Sequence, residues 1–191
     1  MPNEEYALVL DYLPGGKPSS YKTEPIAQLI GTSFFTLLEV APKFSLKILD
    51  KVYVGKEERT EISHIKKRIS YNELTSTAVS ELEKAIEKIV DESKQKYIDF
   101  FNKAVPITIK RHQLELLPGL GKKHMLDILV ERNKKPFESF EEIGQRVRLM
   151  PKPKTAIIKR IVEELEEIEF KHYLFARPPV KKFERGFRKR Y

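Results

Sequence analysis

Near residue 73 the spacing of apolar side chains changes, and the change assigns the two parts of the chain to different kinds of structure. Before it the period is two. Tyr6, Leu8, Leu10 and Tyr12 alternate with Ala7, Val9, Asp11 and Leu13, which predicts a strand over residues 5–13 covered on both faces. Pro14 to Ser20 reads as a loop, and further β-rich runs follow at 34–41, 46–54 and 62–71, with Gly55 to Arg59 as a turn. Residues 25–31 are a further short strand or a helical turn. Roughly five short strands in this length suit a small barrel. After residue 73, Leu74, Ala78, Leu82, Ile86 and Ile89 recur at helical spacing behind Asn72 or Thr75 as caps, which predicts a helix over 75–91. A second helical stretch, 94–104, carries Tyr97, Ile98 and Phe101 and ends before Pro106. The apolar stripe of this connector must be buried, against both flanking modules or in a partner's groove.

Residues 114–129 carry the most specific pattern. Thr108 can cap a helix over 109–117, Gly119-Leu120-Gly121 makes a turn, and a second helix runs from about 122 to 133. Two glycines one residue apart permit a tight turn with positive φ and leave room for a ligand. The amides of Leu120, Gly121 and Lys122 would then open the second helix without intrahelical partners, where the helix dipole adds positive charge. With Lys122 and Lys123 beside them, these amides form a site for one phosphate.

This string resembles the helix-hairpin-helix family, with Leu114, Leu117, Pro118, Gly119, Leu120, Gly121, Lys123, Ile128 and Leu129 in register and Met125 where the family prefers a small residue. The resemblance implies a sequence-independent grip on a nucleic-acid backbone. The alternative is a hairpin that only packs helices or contacts protein.

A second helix pair follows. Ser139-Phe-Glu-Glu142 is a capping box opening a helix to about Val147, and a long helix through about Glu169 presents Ile158, Ile161, Val162, Leu165 and Ile168. Between them Met150-Pro151-Lys152 replaces Gly-x-Gly, and Pro151 and Pro153 have no amide hydrogen for a phosphate. Lys152 and Lys154 remain as point charges, or the degenerate hairpin serves as a packing partner.

Charge is concentrated at one end. Residues 171–191 hold eight Lys and Arg against Glu184, leaving 28 basic and 27 acidic side chains in residues 1–170. Lys181, Lys182, Arg185, Arg188, Lys189 and Arg190, interleaved with Phe183, Phe187 and Tyr191, suit a polyanion; a solvated arm is the alternative. On an extended 63–71, His64, Lys66, Arg68 and Ser70 share one face and Ile65, Lys67, Ile69 and Tyr71 the other. Lys66 and Arg68 could contact phosphates, with Phe34, Phe35, Phe44 or Tyr53 as stacking platforms. The competing reading is a solvated stripe and core aromatics. The lysines and Tyr21 of residues 15–22 are equally placed.

Several classes find no support. The chain has no cysteine, and its four histidines lack metal-ligand spacing. No nucleophile motif or phosphate-binding Walker loop is present, so no cofactor and no catalysis are expected. The start lacks a signal-peptide pattern, and the most apolar window, 26–41, is interrupted by polar residues. A cytoplasmic protein without a membrane partner is expected. End to end, the order resembles an uncharacterised archaeal family with an OB-like N-terminal domain and a helix-hairpin-helix (RuvA domain 2-like) C-terminal domain. The fold class is then α+β: a small OB-like β-barrel at 1–72, a helical connector at 73–105, a tandem helix-hairpin-helix domain at 106–170 and a basic aromatic tail at 171–191. The expected function is non-enzymatic binding of DNA or RNA backbone; the alternative is a protein-interaction module within a nucleic-acid-processing or translation complex.

Overall fold

The computed structural model describes residues 4–16, 24–166 and 171–178. Five strands, β1 (Tyr6–Leu13), β2 (Ile26–Gly31), β3 (Leu37–Pro42), β4 (Lys51–Tyr53) and β5 (Ile62–Arg68), form one antiparallel sheet in the order β4-β1-β2-β3-β5. The sheet curls into a half-barrel, and its two edges, β4 and β5, are not paired to each other. Bulges in β1 at Leu10 and in β5 at Ser63 and Lys66 increase the local bend.

Both faces of the three central strands are buried. Ala7, Val9, Ala27, Leu29, Leu38 and Val40 meet Val52, Val54 and Ile62 from the two edges on the inner face. On the other face Leu8, Leu10, Ile30 and Leu37 join a core that runs without a break into the helices. The alternation of residues 5–13 therefore reads correctly as a strand covered on both sides.

Two expected strands are shorter than their β-rich runs, because side chains claim the backbone first. The Glu4 carboxylate accepts the amides of Ser33, Phe34 and Thr36, and Phe35 takes a positive φ of 53°, so β3 starts only at Leu37. In 46–50, Asp50 accepts the Lys47 amide, and its own amide donates to the Lys47 carbonyl, closing a turn before β4.

Helix α1 (Ser76–Glu92) is capped by Thr75, whose hydroxyl accepts the Ala78 amide and donates to Asp11 at 2.6 Å. Gln28, fully buried in β2, accepts the Thr75 amide and donates to the Glu73 carbonyl. Buried polar atoms of the sheet thus fix where the helix begins, and Ala78, Leu82, Ile86 and Ile89 lie inward. α2 (Lys94–Lys103) buries Tyr97, Ile98 and Phe101.

The expected helix over 109–117 does not form. Pro106–Thr108 (β6) pairs with Arg111–His112 (β7), and a short 3-10 helix follows at Gln113–Leu116. The run Ile107-Thr108-Ile109 is β-branched, and Ile109 stands fully exposed at the hairpin tip. Thr108 accepts the Lys110 amide inside that hairpin, where a helix cap was expected. His112 starts the 3-10 turn: its Nδ1 accepts the Leu114 amide, while its own amide donates to Glu115. Three helices complete the fold: α3 (Lys122–Lys134), α4 (Phe140–Arg146) and α5 (Pro153–Glu166). Ser139 caps α4 by accepting the Glu142 amide, as its sequence predicts. The helical half is therefore a hairpin, a 3-10 turn and three helices, packed with α1 and α2 around the outer core.

A buried ion pair ties the end of the described chain to this core. Arg160 and Glu164 are 3% and 1% exposed and bond to each other at 2.8 Å. Arg160 also donates to the carbonyls of Leu116 and His172, and Glu164 accepts the amides of Leu174, Phe175 and Ala176. Arg177 follows at once. Its amide donates to the Phe34 carbonyl, and its guanidinium lies 4.8 Å from the Phe34 ring. Among the described residues no helix is long and apolar enough to cross a membrane.

Candidate nucleic-acid interface

Leu117 and Leu120 are both buried, and they pull the segment between them into a tight turn. The Leu120 amide donates to the Leu117 carbonyl at 3.0 Å, with Pro118 and Gly119 at the two central positions. Gly119 has φ of 81°, which a type II turn requires at its second central residue. A Cβ on Gly119 would lie 2.9 Å from Cγ of Pro151, so that glycine is closed by protein. Gly121 differs. Its φ is −97°, and a Cβ there would meet nothing within 4 Å.

This corrects the expected cradle. The Leu120 amide is already bonded and its side chain is in the core, so Leu120 offers nothing to a ligand. Gly121 is the cap of α3, and the first intrahelical bond runs from Met125 to the Gly121 carbonyl. The amides of Gly121, Lys122, Lys123 and His124 therefore have no acceptor among the described residues. Lys122 and Lys123 are exposed and have no ion-pair partner there either. Of the two glycines, one makes the turn and the other leaves it open to solvent.

The turn between α4 and α5 packs directly against it. Pro151 covers Gly119, and His124 Nε2 lies 3.1 Å from the Leu149 carbonyl. Leu149 adopts φ of 57° and is 88% exposed, so a leucine holds the backbone conformation that glycine holds in the first turn. Lys152 is exposed beside it and without an ion-pair partner among the described residues. Lys154 is not available as the expected free charge. Its ammonium bonds Glu87 at 2.7 Å and Asp91 at 2.9 Å on α1, and these carboxylates push its pKa upward. Lys154 holds α5 to α1. Arg148, which the sequence did not single out, is exposed in the same turn; only the packing of the two turns brings it near.

The basic stripe of β5 is also rearranged. The bulge at Lys66 shifts the phase of the strand, so Ile65 faces Val40 and Arg68 faces Leu38. Arg68 and Ile65, expected on opposite faces, line one cleft on the inner side of the sheet. Lys66 pairs with Glu24 at 3.2 Å, and Arg68 donates to the Pro178 carbonyl. Among the aromatics, Phe35 is fully buried, Tyr53 packs edge-on to Tyr6, Phe34 lies under Arg177, and Phe44 is 55% exposed. Lys17 and Tyr21, and the tail residues Lys181, Lys182, Arg185, Arg188, Lys189 and Arg190, lie outside the described residues.

A family model described as Protein of unknown function (DUF655) matches residues 3–177. The uncharacterized protein MJ0038 of Methanocaldococcus jannaschii is 41% identical over 177 residues, which cover 91% of this chain and 80% of that protein. The crystal structure of Af1531 from Archaeoglobus fulgidus, titled with the same family model, is similar with a TM-score of 0.85 at 45% identity. The match covers 91% of this chain and 100% of that one.

Proposed function

The chain belongs to the DUF655 family, and from that premise we propose that it is a non-enzymatic, largely sequence-independent binder of nucleic-acid backbone, DNA or RNA. One observation carries the reading: the amides of Gly121, Lys122, Lys123 and His124, open among the described residues, project from the start of a 13-residue helix beside Lys122 and Lys123, which have no ion-pair partner there. Each element favours a phosphate oxygen, and together they need no base contact. Arg148 and Lys152 on the adjoining turn extend the positive edge. The Leu-Pro-Gly-Leu-Gly turn entering α3 supports a helix-hairpin-helix ancestry in which the first helix has become a β-hairpin. The half-open sheet is compatible with an OB-like origin. On this reading α4 and α5 support the turn, and Lys154 is structural.

The test is the salt dependence of binding to duplex and single-stranded oligonucleotides, both DNA and RNA. A steep negative slope of log K against log salt is expected, and Lys123→Gln should make it shallower by about one unit. A flat dependence on every oligonucleotide would overturn the proposal. A protein partner is the second reading, favoured by Leu126 and Val130, which are 56% and 55% exposed one turn apart on α3.

A further inference from the structure

Among the described residues, three that are not glycine adopt a positive φ: Phe35 at 53°, Leu49 at 67° and Leu149 at 57°. A bulky side chain strains the backbone in that region, whereas glycine and asparagine enter it readily. For the first two, packing offsets the strain. Phe35 is fully buried, and Leu49 packs against the outer core. Leu149 gains nothing comparable, because 88% of it stays exposed. The backbone favours glycine or asparagine at this position and water favours a polar side chain, yet the residue is a leucine. Strain of this kind persists where the surrounding structure over-determines it, and such positions cluster where ligands are held.

The surroundings hold the turn firmly. Val147 before it is fully buried, and Met150 after it packs on the outer core. Pro151 covers Gly119, Pro153 is buried, and both prolines have a fixed φ. His124 Nε2 lies 3.1 Å from the Leu149 carbonyl, which sets this turn against the first turn of α3. Leu149 is therefore an apolar point on a rigid mount. Its flanks are cationic. Arg148 and Lys152 are exposed and have no ion-pair partner among the described residues, and Lys122 and Lys123 begin α3 beside them. An apolar side chain ringed by cations complements a surface that is anionic at its rim and apolar within. A base stack between two phosphate backbones has that composition.

We propose that Leu149 is an apolar wedge that enters the groove of a DNA duplex and packs against a base step, next to the phosphate held at the start of α3. This role rests on backbone binding at Gly121 and adds a partner to it: double-stranded DNA, at a step whose bases separate easily. Apolar side chains that enter a step in this way partly unstack it, and the cost is least where the bases are already mismatched. The minor groove is roughly 6 Å wide, too narrow for an α-helix, so the projecting turn reaches the bases and α3 stays at the backbone. Phosphate contact then remains independent of sequence, while the wedge discriminates by deformability.

The experiment compares a matched duplex with one carrying a single mismatch, each with 2-aminopurine beside the central step, titrated with the full chain at low salt. The fluorescence of 2-aminopurine rises when its neighbours unstack. Wild-type protein should bind the mismatched duplex at least threefold more tightly and raise the fluorescence at saturation. Leu149→Asn places a residue suited to positive φ in the turn, so its urea midpoint should be no lower than that of wild type. It should lose the mismatch preference and the fluorescence rise while keeping salt-dependent binding to the matched duplex. Lys123→Gln should weaken both duplexes by the same factor and leave the preference intact. Leu126→Asn, which changes another exposed leucine nearby on α3, should behave as wild type in preference and fluorescence. The wedge is overturned, with backbone binding still standing, if wild type binds both duplexes equally or if Leu149→Asn keeps the preference. Equal loss of preference in Leu126→Asn, or a loss of affinity for single-stranded DNA in Leu149→Asn as large as that for the mismatched duplex, overturns it too. Absence of binding to every oligonucleotide overturns both.

Discussion

Replacing Glu164 with glutamine should remove a large part of the stability of the fold. The carboxylate is 1% exposed and divides its bonds between two oxygens: Oε1 takes Arg160 and the Leu174 amide, and Oε2 takes the amides of Phe175 and Ala176. Glutamine keeps one acceptor oxygen and turns an NH2 group toward donors. It also removes from Arg160, itself 3% exposed, the buried carboxylate that lies 2.8 Å away. Breaking a buried pair by removing one partner costs about 3–5 kcal/mol. With a urea dependence of about 2 kcal/mol per molar, the midpoint of unfolding should fall by roughly 2 M. Glu163→Gln is the control; its partly exposed side chain lies 4.0 Å from Arg160, and a change below about 1 kcal/mol is expected. Urea unfolding followed by circular dichroism reads both. A drop under about 0.5 M for Glu164→Gln would refute the idea that this ion pair anchors the chain that presents Arg177.

The two glycines of the turn should behave oppositely. Gly119→Ala forces a Cβ into positive φ and against Pro151, and should cost at least about 1 kcal/mol in thermal or urea unfolding. Gly121→Ala meets open space at an ordinary φ and should cost less than Gly119→Ala, only the loss of a permissive N-cap residue, while placing a methyl group at the mouth of the proposed phosphate site. Stability should also fall as pH drops below the ordinary histidine value of about 6.5. Burial first, then Arg132, holds the His112 pKa down, and its Nδ1 must stay unprotonated to accept the Leu114 amide. The unfolded chain therefore binds a proton before the folded one does. The loss begins near 6.5 and levels off below the folded pKa. His112→Asn, which keeps a capping acceptor, should flatten that limb of a urea-midpoint profile against pH; an unchanged limb would assign it to other groups.

The change of period at residue 73 marks the end of the five-stranded sheet and the approach to α1, because burial on one stripe or on alternate faces writes itself into the spacing; the β6–β7 hairpin beyond it carries no such mark. Caps were legible for the same local reason: Thr75 and Ser139 act within three residues of themselves. What was not legible depended on distant partners. Nothing near residue 34 announces that Glu4 will take its amides and delay β3. The 109–117 segment carries helix-compatible spacing at Leu114 and Leu117, but its β-branched start and the His112 cap direct it into a hairpin and a 3-10 turn. In the candidate site, the string Leu-Pro-Gly-Leu-Gly revealed the positive φ of Gly119 and the lysines after it. It could not reveal that Pro151 closes one glycine or that the Leu120 amide is used. The phase shift at Lys66 that turns Arg68 into the cleft, and the pairing of Lys154 with α1, are likewise long-range events.

The amides that open α3 carry the proposed binding, and they can be observed one by one. In a 15N-labelled sample titrated with a short oligonucleotide at low salt, the resonances of Gly121, Lys122, Lys123 and His124 should shift most. They should return toward their starting positions as salt is raised. If the oligonucleotide binds while these four resonances stay still, or if Leu126 and Val130 respond to a protein partner and no nucleic acid moves the turn, the backbone-binding account is wrong.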